Sequence, residues 1–183
     1  AAIREYGNLA DKLQKVSQST GISTEKLSAL RQAASLSGSS FDSFASALVK
    51  YTKRLGEAKA KQGPLQTGLK KLDGALLDQL VNAEDTGRAL EILFSQMNKF
   101  YDQGRLQDLA RISAAAFGVS GVEFSRIAQA YSQAEELQKR YNLVITRAEA
   151  DRIALLNDNT DAYWEATKKV GIDAINKIGD AWD

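Results

Sequence analysis

The chain of 183 residues contains no cysteine and no histidine, and it has a single proline, Pro64. Without cysteine there is no disulfide, no thiolate metal site and no cysteine nucleophile. Without histidine the commonest general base and metal ligand is missing, together with the Ser-His-Asp and Cys-His catalytic arrangements. Carboxylates or lysine can still catalyse reactions, so these absences disfavour an enzyme without excluding one.

Long apolar runs are also absent. The longest uncharged stretch of mainly apolar residues, 112–122, is well short of the roughly 20 residues that a membrane-spanning helix needs. We therefore expect no membrane span in this segment. The start, "AAIREYG", carries charge where a secretory signal would be apolar. Because the chain begins with Ala1 and ends on "DAWD" within a helical pattern, we expect a fragment of a longer protein.

Charge of one sign is not in excess. The 24 basic and 23 acidic residues give a net charge of +1, so no strong overall field draws the chain to nucleic acid or to an anionic membrane. We expect no specific nucleic-acid binding. The hydrophobic fraction of 44% is ordinary for a globular protein and is enough to build a core.

What the sequence has in abundance is helix-forming residues at helical spacing. Apolar residues recur at three and four positions along most of the chain, and glycines or capping residues separate the runs. Ser23 is predicted to cap the second helix and Gly38 to end it. The clearest stripe belongs to a third helix and comprises Phe41, Phe44, Leu48, Tyr51 and Leu55.

These patterns predict an all-α fold, a bundle or array of about six to eight helices with a long C-terminal helix. An elongated arrangement stays open. We expect three amphipathic helices in 1–62, a linker-like region with short helical pieces in 63–87, and a second helical region in 88–183. Thr146 and Glu149 form the pattern of a capping box, and the apolar spacing beyond them predicts one helix of about thirty residues.

Two stretches resemble ligand-binding loops, one for calcium and one for phosphate, but each lacks residues that such a loop needs. "NDNTDAYWE" alternates Asn157, Asn159 and Asp161 as a calcium loop does, but Ala162 and Lys168 stand where the loop needs glycine and a bidentate glutamate. "GVSGVEF" lacks the spacing of a phosphate-binding loop. We therefore predict no catalytic, cofactor-binding or metal-binding residue. Trp164 and Trp182 are interpreted as packing or partner contacts.

A basic stretch on the third helix is the one candidate for a nucleic-acid surface. Tyr51 lies among its basic residues, and stacking aromatics with lysines are typical of such surfaces. Glutamate and alanine interrupt the run, so a solvated helix face is the favoured interpretation. The basic residues are Lys50, Lys53, Arg54, Lys59 and Lys61.

Three segments, in order, resemble the tail tape measure proteins of long-tailed phages and prophages. "TGISTEKLSALRQAASLSGSSFDSFASALVKYTKRLGEA" is similar to the recurring segment of that family, with its Thr-Gly-aliphatic-Ser start and Phe-led helix. "RALEILFSQMNKFYDQGRLQDLARISAAAFGVSG" resembles the helix pair that closes on Phe-Gly-x-Ser-Gly. "YNLVITRAEADRIALLNDNTDAYWEATKKV" is similar to the entry into a long polar helix. The likeness covers roughly residues 20–170, with a gap around 63–87, and departs at Lys26, where the family often has an acid.

The resemblance implies a structural protein of phage tail assembly. Such proteins set tail length inside the tail tube and are released at infection, and their partners are the tail tube protein and the tail assembly chaperones. The implied locations are the tail lumen of the virion and, during assembly, the host cytoplasm. Self-association through the helical seams stays open. The alternatives are a non-catalytic helical adaptor of a cellular protein and, least favoured, a peptidoglycan-cleaving domain.

Overall fold

The structure is a computed structural model that describes residues 2–118, 123–141 and 145–151. Within these ranges every regular element is a helix and no strand occurs, which confirms the all-α prediction. Residues 147–151 are also helical. The eight longer helices are α1 (Ala2–Thr20), α2 (Thr24–Leu36), α3 (Phe41–Lys59), α4 (Gly63–Leu72), α5 (Gly74–Val81), α6 (Thr86–Asp102), α7 (Leu106–Phe117) and α8 (Glu123–Tyr141).

The capping box that predicted the last helix is present. The backbone N–H of Thr146 donates to Glu149 Oε2 at 2.9 Å, and Thr146 Oγ1 accepts from the backbone N–H of Glu149 at 3.3 Å. A helical segment follows directly, at residues 147–151. The rest of the predicted long helix, with Trp164, Trp182 and the calcium-loop-like stretch, lies outside the described residues.

The stripe on α3 packs inward as its spacing predicts. Phe44, Leu48, Tyr51 and Leu55 are all buried, whereas Phe41 in the first turn is only partly buried. The side chains of this stripe recur every three or four residues, which places them on one side of the helix. α3 therefore serves as a central support, and it packs against α1, α2, α4, α5 and α7.

Two short helices occupy 63–81, where the sequence predicted short helical pieces. α4 starts at Gly63, whose φ of 83° lies in the left-handed region that glycine adopts without strain. Pro64 follows in the first turn, where a missing N–H costs nothing. Asp73 ends α4 and caps α5, accepting a hydrogen bond from the backbone N–H of Leu76 at 2.9 Å.

The core is one connected cluster of buried side chains drawn from all eight helices. At its centre aromatic rings from four helices meet, with centroid separations from 5.0 Å for Phe117 and Phe124 to 6.4 Å for Phe44 and Phe94. Such separations suit offset or edge-to-face contacts. The cluster comprises Phe44, Tyr51, Phe94, Phe117, Phe124 and Tyr131.

Among the described residues, no helix combines the length and the apolarity that crossing a lipid bilayer requires.

Candidate functional site

The first resemblance motif, Thr20 to Ser23, forms the corner between α1 and α2. Gly21 has a φ of 70°, and its N–H donates to the carbonyl of Ser17 at 2.8 Å, which ends α1. Thr20 Oγ1 accepts from the N–H of Ile22 at 3.2 Å, and Ser23 caps α2 by accepting from the N–H of Lys26. Ile22 is buried in the core. Each of these four residues therefore helps to form the corner, by ending a helix, capping one, accepting a backbone hydrogen bond or packing into the core.

Gly38 of the first resembling segment and Gly118 of the second end helices in the same way. Gly38, with a φ of 73°, turns the chain between α2 and α3, and Ser40 occupies the N-cap position of α3 without a side-chain capping bond. Gly118, with a φ of 79°, closes α7 immediately after the buried Phe117. Glycine is favoured at both places because a left-handed backbone strains other residues.

Arg54 connects α3 to the C-terminal end of α7. Its Nη1 donates to the carbonyl oxygens of Ala114 at 2.6 Å and Ala115 at 2.9 Å. These carbonyls belong to the last turn, where the helix dipole is negative. The carbonyl of Ala114 also accepts from the backbone N–H of Gly118 at 3.0 Å. A cation here adds charge-assisted hydrogen bonds and offsets the dipole. The sequence pattern predicted a solvated basic face for Arg54, and this role was not predicted.

Residues 145–151 dock onto the corner between α1 and α2. Glu25 Oε1 accepts from the backbone N–H of Arg147 at 3.1 Å, and Gln14 Nε2 donates to Asp151 Oδ1 at 2.8 Å. Burial raises the pKa of Glu25, but hydrogen bonds from its own backbone N–H, from Arg147 and from nearby hydroxyls together outweigh that effect, so the pKa lies below its usual value. The ionised carboxylate is thus an added cap for the helical segment that starts at 147.

A buried polar contact lies beneath the docked segment. Ser28 on α2 and Gln138 on α8 are both buried, and Gln138 Nε2 donates to Ser28 Oγ at 3.1 Å. The backbone N–H of Ile145 points to the same oxygen at 3.5 Å. Polar groups in the interior must find partners because an unpaired one costs about 1–3 kcal/mol. The contact therefore fixes how α8 and the following segment lie on α2.

Two open grooves flank α6. One, of about 370 Å³, runs between α5 and α6, and the other, of about 440 Å³, runs between α6 and α8. Both are lined by polar side chains, and they share a ridge formed by Arg88, Glu91, Ser95 and Lys99. Glu91 is already paired with Lys26 at 2.8 Å and with Arg88 at 3.0 Å. Glu91 is therefore the paired centre of this ridge, whereas Lys99 at its end is exposed.

In the part of the chain that the structure describes, no group of three or more carboxylates could hold a metal ion. Burial raises the pKa of Tyr51, and burial together with Glu135 raises the pKa of Tyr131, so both phenols stay protonated near neutral pH.

The structure corrects one feature of the basic stretch on α3. Tyr51 was considered as a stacking aromatic among lysines, but its side chain is completely buried and its ring lies 5.6 Å from that of Phe117. It belongs to the core and cannot reach a nucleic-acid base. Lys50, Lys53, Lys59 and Lys61 are exposed, in line with the solvated face.

Comparison with protein-family models, with curated proteins and with solved structures found no match to this chain.

Proposed function

We propose that this chain is a structural segment of a phage or prophage tail tape measure protein, acting by helix packing and partner binding, without catalysis. The observation that carries the proposal is the resemblance of three ordered segments to that family. The proposal is supported by what the motif residues do: Gly21, Ser23, Gly38 and Gly118 shape helix ends, while Ile22 and Phe117 fill the core. A motif used wholly for folding suits an assembly protein.

In this function the segment contributes to the length of the protein that the tail tube is built around. Its proposed partners are the tail tube protein and the tail assembly chaperones. Its proposed places are the host cytoplasm during assembly and then the lumen of the virion tail. The physical basis of a ruler is that a helix rises about 1.5 Å per residue, so length follows residue number.

The decisive experiment is an in-frame deletion of this segment in the full-length parent protein, followed by electron microscopy of the tails. If the segment were one extended helix, its removal would shorten the tail by about 270 Å, and a segment that stays packed would remove less. A matched control replaces the segment with an unrelated helical sequence of equal length, which should restore tail length. Tails of unchanged length after the deletion would contradict the proposal.

The competing functions are separated by two further observations. A cellular adaptor predicts a parent gene that is not among tail genes, whereas the proposed function predicts a long reading frame beside the tube and chaperone genes. A peptidoglycan-cleaving domain predicts release of dye from labelled cell walls. We expect no release from the purified chain at any pH between about 5 and 8, where carboxylate-based hydrolysis operates.

A further inference from the structure

The near-zero net charge of the chain conceals a separation of charge between packed helices. Residues 43–72, which comprise most of α3 and all of α4, contain seven basic residues and one acid, a net charge of +6. Residues 73–104, which comprise α5 and α6 with their flanking residues, contain six acids and two basic residues, a net charge of −4. A local surface can therefore bind an anion although the whole chain has almost no net field.

Three acids on α3 and α7 are paired with basic residues. Asp42 at the start of α3 pairs with Lys12, Glu57 with Lys53 at 4.0 Å, and Asp108 on α7 with Arg105 at 2.7 Å. α3, α4 and α7 pack against one another, so these are the acids carried by that three-helix unit. The three helices carry no further acid, and Asp73, directly after α4, accepts the backbone N–H of Leu76 at the start of α5.

Four lysines of the α3–α4 hairpin are exposed and form no ion pair among the described residues. We call Lys59, Lys61, Lys70 and Lys71 the lysine surface. Lys59 and Lys61 flank the turn into α4, and Lys70 and Lys71 lie in its last turn. The helix separates the two pairs by about 14 Å along its axis, comparable with the roughly 12 Å width of the DNA major groove. Lysines at both ends can therefore reach different phosphates.

We propose that the lysine surface binds the phosphate backbone of double-stranded nucleic acid without sequence preference. Lysine acts as a flexible point charge, which suits phosphate contacts rather than base recognition. Tyr51 is buried, so the stacking that single strands require is absent from this face. Of the exposed large hydrophobic side chains in the described residues, Val49 alone lies on the hairpin. A protein partner would need a larger apolar anchor and fewer lysines.

The test is fluorescence anisotropy of a labelled 30-base-pair duplex titrated with the whole chain. Four phosphate contacts predict a salt slope near −3.6, so affinity should fall roughly 150-fold between 50 and 200 mM NaCl. Replacing all four lysines of the lysine surface with glutamine should weaken binding at 50 mM at least tenfold. The matched control removes the same charge elsewhere, with Lys15, Lys99, Arg126 and Lys139 changed to glutamine, and should weaken it less than threefold.

Two further measurements keep the inference open to refutation should the quadruple variant fold poorly. On the wild-type chain, bound duplex should protect the lysine surface, and not Lys99 or Lys139, from acetylation read by mass spectrometry. Poly-glutamate of equal charge should compete at least tenfold less well than unlabelled duplex. The inference is overturned if the chain does not bind the duplex at 50 mM NaCl, or if the two quadruple variants lose equal affinity. It is also overturned if the duplex protects all lysines equally from acetylation. Poly-glutamate that competes as well as unlabelled duplex would overturn it too and would indicate an acidic protein partner.

Discussion

The carboxylate of Glu25 accepts a hydrogen bond from the backbone N–H of Arg147, which lies 122 residues further along the chain, at 3.1 Å. Glu25 lies in the first turn of α2, so its carboxylate is close to the N-terminal ends of two helical segments, α2 and the one that begins at 147. A negative charge is favourable at both because each helix start carries a partial positive charge. This contact ties the end of the described chain to its beginning, and it depends on ionisation.

Glu25→Gln should lower the free energy of unfolding by about 0.5 kcal/mol at pH 7, because a neutral amide is a weaker cap than a carboxylate. The pKa of Glu25 is lowered in the folded state, so its stabilisation is complete above the unfolded pKa, near the usual 4.5, and is lost as pH falls through the folded value. The difference between wild type and variant, measured by urea unfolding, should shrink below about pH 4.5. Glu136→Gln, at an exposed position of α8, is the control. A difference that grew on acidification would contradict this role.

Arg54→Met should lower the free energy of unfolding by about 1–3 kcal/mol. The methionine keeps an apolar stem but removes the charged donor to the carbonyls of Ala114 and Ala115, and the loss of charge-assisted hydrogen bonds carries that cost. The carbonyl of Ala114 keeps its hydrogen bond from the backbone N–H of Gly118 at 3.0 Å. Lys53→Met is the control, since Lys53 is exposed and only weakly paired. Equal unfolding midpoints in urea for the two variants would argue that the α7 terminus gains nothing from Arg54.

The helix pattern and the caps followed from the sequence, because both depend on neighbouring residues. The spacing of Phe44, Leu48 and Tyr51 placed them on one face, and the structure buries all three. The predicted caps Ser23 and Thr146 each accept the expected backbone N–H, both at 3.3 Å. Local rules of this kind need no knowledge of which helices pack together.

The contacts between distant helices could not be predicted in the same way. Arg54 and Glu25 lie on polar faces, where a periodicity argument places solvent, and their partners are backbone groups that have no sequence signature. Ser28 and Gln138 are polar residues that the structure buries as a pair 110 positions apart. Finding them requires the packing of α2 against α8, which amphipathic patterns do not specify.

Gly118→Ala should lower the free energy of unfolding by about 1–2 kcal/mol, because the φ of 79° strains any residue that has a Cβ. The new methyl would also lie 2.9 Å from Lys50 Cδ, although that flexible side chain can move aside. Gly74→Ala is the matched control, since a Cβ there meets nothing within 4 Å and no positive φ is involved. The thermal unfolding temperature of the control should equal or exceed that of wild type. A Gly118→Ala variant that unfolds at the same temperature as the control would show that the backbone at 118 is not strained by a Cβ.

Phe44→Ala should be the most destabilising of these substitutions, with a loss of about 3–5 kcal/mol in the free energy of unfolding. The Phe44 ring has no exposed surface and lies 5.4 Å from Phe124, 6.4 Å from Phe94 and 6.4 Å from Phe117. Its removal leaves a cavity where α3, α6, α7 and α8 meet. Phe41→Ala, one turn earlier and only partly buried, should lose less than half as much. Urea unfolding followed by circular dichroism compares the two, and equal losses would show that the aromatic rings do not form the stabilising centre of the fold.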